Sequence, residues 1–92
     1  MRKALKNENI LSEMESVAAK LFQEIRYEEG SFKSASCSLR GKSILILNKR
    51  QPIEERIASI ALELSKIEIE NLYLKPIVRR EIDKVSAQLD QK

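Results

Sequence analysis

Cys37-Ser38-Leu39-Arg40-Gly41-Lys42-Ser43-Ile44-Leu45-Ile46-Leu47-Asn48 is the stretch on which the fold turns. Gly41 stands where a tight reversal needs a positive φ, and the runs on either side are short of helix formers, so the segment reads as a β-hairpin. Its strands are expected at about residues 32–39 and 43–48. On the first, Ala35, Cys37 and Leu39 line one side, and Ser34, Ser36 and Ser38 the other. Ile44 to Leu47 is apolar on both faces, which predicts a strand covered on both sides or lying mid-sheet.

Upstream, Ile10, Leu11, Met14, Val17, Ala18, Leu21 and Phe22 recur at helical steps, opposite Glu13, Glu15, Ser16, Lys20 and Glu24. The pattern predicts an amphipathic helix over about 5–24. Ile25-Arg26-Tyr27-Glu28 then alternates before Glu29-Gly30-Ser31, consistent with one more helical turn or a short strand over about 25–28; the strand is preferred. Downstream, Pro52 pre-sets a helix start, with Glu54 and Glu55 near its positive end. Ile53, Ile57, Ile60, Ala61, Leu64 and Ile67 share one arc, giving a second helix over about 52–66. After a connection over about 68–75, Pro76 opens a helix to about residue 90 with Val78, Ile82, Val85 and Leu89 as its buried stripe. The expectation is a single α+β domain over residues 1–92: an N-terminal amphipathic helix, a small sheet centred on a β-hairpin, and two C-terminal helices.

With 42 % hydrophobic and 34 % charged residues the chain falls among globular domains. A chain of this size buries only about 60 % of its unfolded surface, so a partner or a homodimer is easily accommodated. Ile44 to Leu47, the longest apolar run, is too short to cross a bilayer, and Met1-Arg2-Lys3-Ala4-Leu5-Lys6 lacks the apolar stretch of a signal peptide. A cytoplasmic protein with no membrane association is expected. The single cysteine, Cys37, has no second thiol to pair with, suits a reducing compartment, and reads as a small buried apolar residue.

The chain has no histidine, and its second helix carries Ala61-Leu62-Glu63-Leu64-Ser65-Lys66. The hairpin, the strand ending Ile46-Leu47-Asn48, then Pro52, Glu54-Glu55-Arg56 and this helix form an order that resembles the anti-repressor metallopeptidases of the ImmA/IrrE type. The likeness runs over about residues 5–67. In that family the helix reads Ala-His-Glu-Leu-Gly-His, two imidazoles holding zinc and the carboxylate activating water. Only Glu63 matches a functional position; Leu62 and Lys66 stand where the two ligands would be. The resemblance therefore implies a scaffold with no metal, no cofactor and no peptidase activity. The chain is also similar to short uncharacterised bacterial proteins with a Cys-x-Leu-x-Gly-Lys turn followed by Leu-Asn-Lys-Arg-x-Pro, here Cys37 to Lys42 and Leu47 to Pro52.

Taken by itself, Glu63 reads as a solvated helix glutamate in a weak pair with Lys66. Ala58 and Leu62 lie about half a turn from the core stripe, on a face either covered by the first or last helix or offered to a partner. Ala58, Leu62, Glu63 and Lys66 are thus the candidate partner-binding residues. A second candidate surface is electrostatic. No acidic residue lies between Glu29 and Glu54, whereas Lys33, Arg40, Lys42, Lys49 and Arg50 all fall there. Such a ribbon could follow a phosphate backbone, although Phe32 is its one aromatic and no Gly-x-x-Gly loop is present. Lysines on an edge hairpin also discourage edge-to-edge pairing. Lys75, Arg79, Arg80 and Lys84 form a second basic group. The reading taken is a non-catalytic interaction module that binds a protein partner or itself. The alternative is a nucleic-acid-associated protein using the basic hairpin, and an enzyme built around Glu63 comes third.

Overall fold

The computed structural model describes residues 2–67 and 72–90, with side chains from 7 to 88. Its elements are α1 (Arg2–Leu21), β1 (Glu24–Glu28), β2 (Ala35–Leu39), β3 (Lys42–Asn48), α2 (Ile53–Ser65) and α3 (Pro76–Asp90). This is the expected α+β arrangement of an N-terminal helix, a small sheet and two C-terminal helices. Of the connection expected over 68–75, residues 68–71 lie outside the described residues, as does the side chain of Leu89. Among the described residues no helix is long and apolar enough to cross a membrane.

α1 stops earlier than its apolar pattern predicts. Phe22 N–H still reaches back to Ala18 O at 2.9 Å, but Gln23 N–H donates to Ser43 O at 3.0 Å and takes the chain into the sheet. Phe22 remains in the core without belonging to the helix. The sheet has three strands in the order β1-β3-β2. β3 is central, parallel to β1 through Ile25↔Leu45 and antiparallel to β2 through Ser36↔Leu45. The mid-sheet position expected for Ile44 to Leu47 is therefore correct. Arg40 (φ 54°) and Gly41 (φ 79°) close the hairpin, both with the positive φ of a type I′ turn. The first hairpin strand is shorter than expected: residues 32–34 form a loop, because Ser34 gives its N–H and hydroxyl to Gln51.

Residues opposite one another in a ladder share a face, so the register sorts the sheet into two. The helix side carries Ile25 and Tyr27, Ser36 and Ser38, and Leu45 and Leu47. On it, Leu45 and Leu47 join Met14 and Ala18 of α1, Ile60 and Leu64 of α2, and Val78 and Ile82 of α3 in one core cluster. α2 touches both other helices and β2, and α3 packs chiefly on α2. The opposite side carries Glu24, Arg26, Ala35, Cys37, Leu39, Ile44 and Ile46. Cys37 is exposed there, which corrects the buried role expected of it. The physical reason is that β2 turns its serine row inward, where Ser36 has a polar partner on α2, and so turns its apolar row out.

Candidate functional site

α2 sets the geometry of the candidate site. Ala58 and Leu62, one turn apart, form the floor of a cleft of about 460 Å³ together with Val85 of α3. Lys33, Glu55 and Gln88 stand on its rim. Leu62 is half-buried and Ala58 exposed. α3 covers one side of this face through Val85, and the remainder is open.

Glu63 leaves this face. It is 7 % exposed, and its Oε1 accepts a 2.6 Å hydrogen bond from the Ser36 hydroxyl of β2. Lys66 Nζ donates to Oε2 at 3.4 Å from an exposed position. The solvated glutamate expected at this position is thus corrected: Glu63 is a buried acceptor that ties α2 to the edge strand. A carboxylate is fit for this because it accepts at both oxygens, and a charge-assisted bond to a hydroxyl is stronger than a neutral one. Of the four candidate partner-binding residues, the structure places Ala58 and Leu62 in the cleft, Glu63 against Ser36, and Lys66 beside Glu63. Leu62 carries no donor atom for a metal, and among the described residues no three His, Cys, Asp or Glu side chains come together as a metal site would need.

A buried polar network that the residue patterns did not reveal builds the wall next to the cleft. Gln51 is buried; its Oε1 accepts from Ser34 N–H (3.2 Å) and Ser34 Oγ (2.7 Å), and its Nε2 donates to Ser59 Oγ (3.1 Å). Ser34 Oγ in turn accepts from Asn48 N–H at 2.8 Å. Asn48, at the end of β3, donates through Nδ2 to Gly30 O (2.9 Å) and Phe32 O (2.5 Å) and accepts from Arg50 N–H (3.0 Å). Arg56 completes the wall, Nη2 donating to Lys49 O and Gln51 O at 2.9 Å each. Its Nε is buried with no partner among the described residues. Partial burial raises the carboxyl pKa of Glu15 above its ordinary 4.5, and the Arg56 charge opposes the rise. The available signal was an asparagine ending an apolar strand ahead of Gln-Pro, a sequence suited to turns rather than to ladders.

The basic residues do not form one ribbon. Lys33, Lys49 and Arg50 gather at one end of the hairpin and Arg40 and Lys42 at the other, since Leu39 pairs with Lys42 and Ala35 with Ile46. β3, running from Lys42 to Asn48, puts these ends about 20 Å apart. Lys42 pairs with Glu24 at 3.4 Å and Arg50 with Glu29 at 3.9 Å. Glu24 also accepts from Arg26 at 2.7 Å, and that hydrogen bond, with the charges of Arg26 and Lys42, holds its carboxyl below the ordinary range. Among the described residues Lys33, Arg40 and Lys49 have no ion pair. In the second basic group Lys75 donates to Glu13 at 2.9 Å, pinning the start of α3 to α1, and Lys84 pairs with Glu81 at 3.2 Å. Compared with known proteins, the chain matches no family model, no curated protein and no solved structure.

Proposed function

We propose that this chain is a non-catalytic protein-interaction module, and that its partner places an apolar side chain in the cleft between α2 and α3. The observation that supports this reading is the floor of Ala58, Leu62 and Val85 left open beside a rigid polar wall. Its volume falls within the range of about 300–1,000 Å³ usual for binding pockets. Glu63 supports the non-catalytic part: it is held by Ser36 and Lys66 and is not among the cleft's lining residues. On this reading the likeness to ImmA/IrrE metallopeptidases is one of scaffold, with Leu62 and Lys66 in the ligand positions. The exposed, unpaired thiol of Cys37 suits the reducing interior of a cell, and we place the protein in the cytoplasm.

Purification of the tagged chain with quantitative identification of bound proteins tests the reading. One protein should accompany the wild type, be lost with both Leu62→Lys and Ala58→Glu, and stay with Lys49→Glu. A partner retained by both cleft variants would remove the cleft from the function. Nucleic-acid binding is the second reading, favoured by the absence of ion pairs at Lys33, Arg40 and Lys49 among the described residues. It requires a salt-dependent mobility shift that charge reversal at Lys33 and Lys49 abolishes.

A further inference from the structure

The free edge of β2 has a definite hydrogen-bonding phase. Arg40 and Gly41 form a two-residue turn between Leu39 and Lys42, and in such a hairpin the closing pair exchanges both backbone hydrogen bonds. Bonded pairs then recur at every second residue, at Cys37↔Ile44 and Ala35↔Ile46. Ser36 and Ser38 consequently direct their N–H and C=O groups away from β3. All five residues of β2 are exposed, and none is charged or proline. The strand therefore lacks, within its own length, the usual devices that block edge pairing.

We propose that β2 pairs antiparallel with β2 of a second copy about a two-fold axis at Cys37, giving one continuous sheet through the dimer. This register joins the outward N–H and C=O of Ser36 to those of Ser38 in the other copy, and the reverse. It sets Ala35 opposite Leu39 and Cys37 opposite Cys37 on one face, and serine opposite serine on the other. An axis at Ser36 would require Ser34, whose N–H is already bound to Gln51 Oε1. An axis at Ser38 would require Arg40, which at φ 54° cannot continue a strand. Cys37 is the centre that avoids both.

The edge also sets the strength. Two five-residue strands bury less than the roughly 1,200 Å² of a stable interface, so the dimer is weak and concentration-dependent. Lys33 and Arg40 of both copies gather along the seam, so salt strengthens the pairing by screening them. An acidic peptide on the same edge would show the opposite dependence. The seam shares Lys33 with the rim of the α2–α3 cleft but none of its floor residues, so Leu62→Lys should leave the dimer intact.

Sedimentation equilibrium of the reduced chain, over a wide concentration range and at two salt concentrations, tests the proposal. The apparent mass should rise towards that of a dimer, and more steeply at high salt. Ser38→Pro removes only an outward N–H and keeps the ladder to β3, and should raise the dissociation constant about tenfold or more with an unchanged circular dichroism spectrum. Cys37→Lys sets like charges on the axis and should act in the same direction. In the proposed register the Cys37 Cα atoms lie about 4.5 Å apart, within reach of a disulfide. Oxidation by copper–phenanthroline, which takes up the two thiol electrons, should link the wild type and not Ser38→Pro. A wild type that stays monomeric, an equally dimeric Ser38→Pro, or a dimer that Cys37 cannot link would each overturn the proposal.

Discussion

Asn48 offers the sharpest test of how the cleft wall is held. It is 3 % exposed, and its side chain makes the hydrogen bonds to Gly30 O, Phe32 O and Arg50 N–H already described. Asn48→Ala deletes all three and strands two carbonyls and an amide at the mouth of the loop. At about 1 kcal/mol for each bond, the loss is about 3 kcal/mol. That is a large share of the roughly 5–15 kcal/mol that holds a small domain together. For a chain of this size it corresponds to a fall in Tm of about 12–24 °C. Asn48→Asp is the more revealing change. It keeps the acceptor for Arg50 N–H but sets a second oxygen against the carbonyls of Gly30 and Phe32, so at neutral pH it should cost more than alanine. As pH falls and this aspartate takes up a proton it can donate again, and the gap between the variants should narrow. The chain has no tryptophan, so urea unfolding followed by far-ultraviolet circular dichroism is the suitable assay. A loss below about 1 kcal/mol for alanine, or an aspartate variant as stable as wild type at pH 7, would refute the role given to this side chain.

Further outcomes concern the turn, the core and the half-buried acid. A Cβ added at Gly41 meets nothing within 4 Å, so Gly41→Ala should cost only the strain of φ +79°, about 1 kcal/mol in a chemical melt. Leu45→Ala empties a fully buried position on the central strand and should cost about 2–5 kcal/mol; a smaller loss would mean that the three helices close over the gap. For Glu15 the folded pKa lies above the ordinary 4.5, so the native state keeps a proton that the unfolded chain releases. Stability on this account is lost as pH rises through the folded pKa, and the penalty remains at neutral pH. Glu15→Gln should raise the Tm at pH 7 and lose its advantage as the pH falls below 4.5, and thermal melts across that range decide.

Much of the fold is legible from residue spacing. The stripes Ile10-Met14-Ala18, Ile57-Ile60-Ala61-Leu64 and Val78-Ile82 place three helices against one core, and Gly41 places the hairpin. These signals are local and repeat with the helix or strand period. The parallel pairing of β1 with β3 is not local, and nothing within Glu24–Glu28 marks its direction. Nor does alternation in β2 say which row faces inward. Periodicity alone would favour Ala35, Cys37 and Leu39, yet the Glu63 carboxylate across the interface selects Ser36. The Ser34–Gln51–Asn48 network was hidden for the same reason: its members lie far apart in the chain and have no period. Ala58 and Leu62 were found because helix geometry alone fixes their direction relative to the core stripe.

β2 supplies no side chain to the core cluster. Its hold on the protein is its ladder to β3 and the bond from Ser36 to Glu63. Peeling this strand away therefore leaves the helix-side core cluster in place, uncovering chiefly Ile44 and Ile46 of β3, and has a lower opening free energy than global unfolding. The amide protons of Ala35, Cys37 and Leu39 should exchange with solvent through such partial opening, while those joining β1 to β3 wait for the whole molecule to unfold. The domain thus carries, next to its candidate binding cleft, a segment that can detach and return while the remaining scaffold stays native.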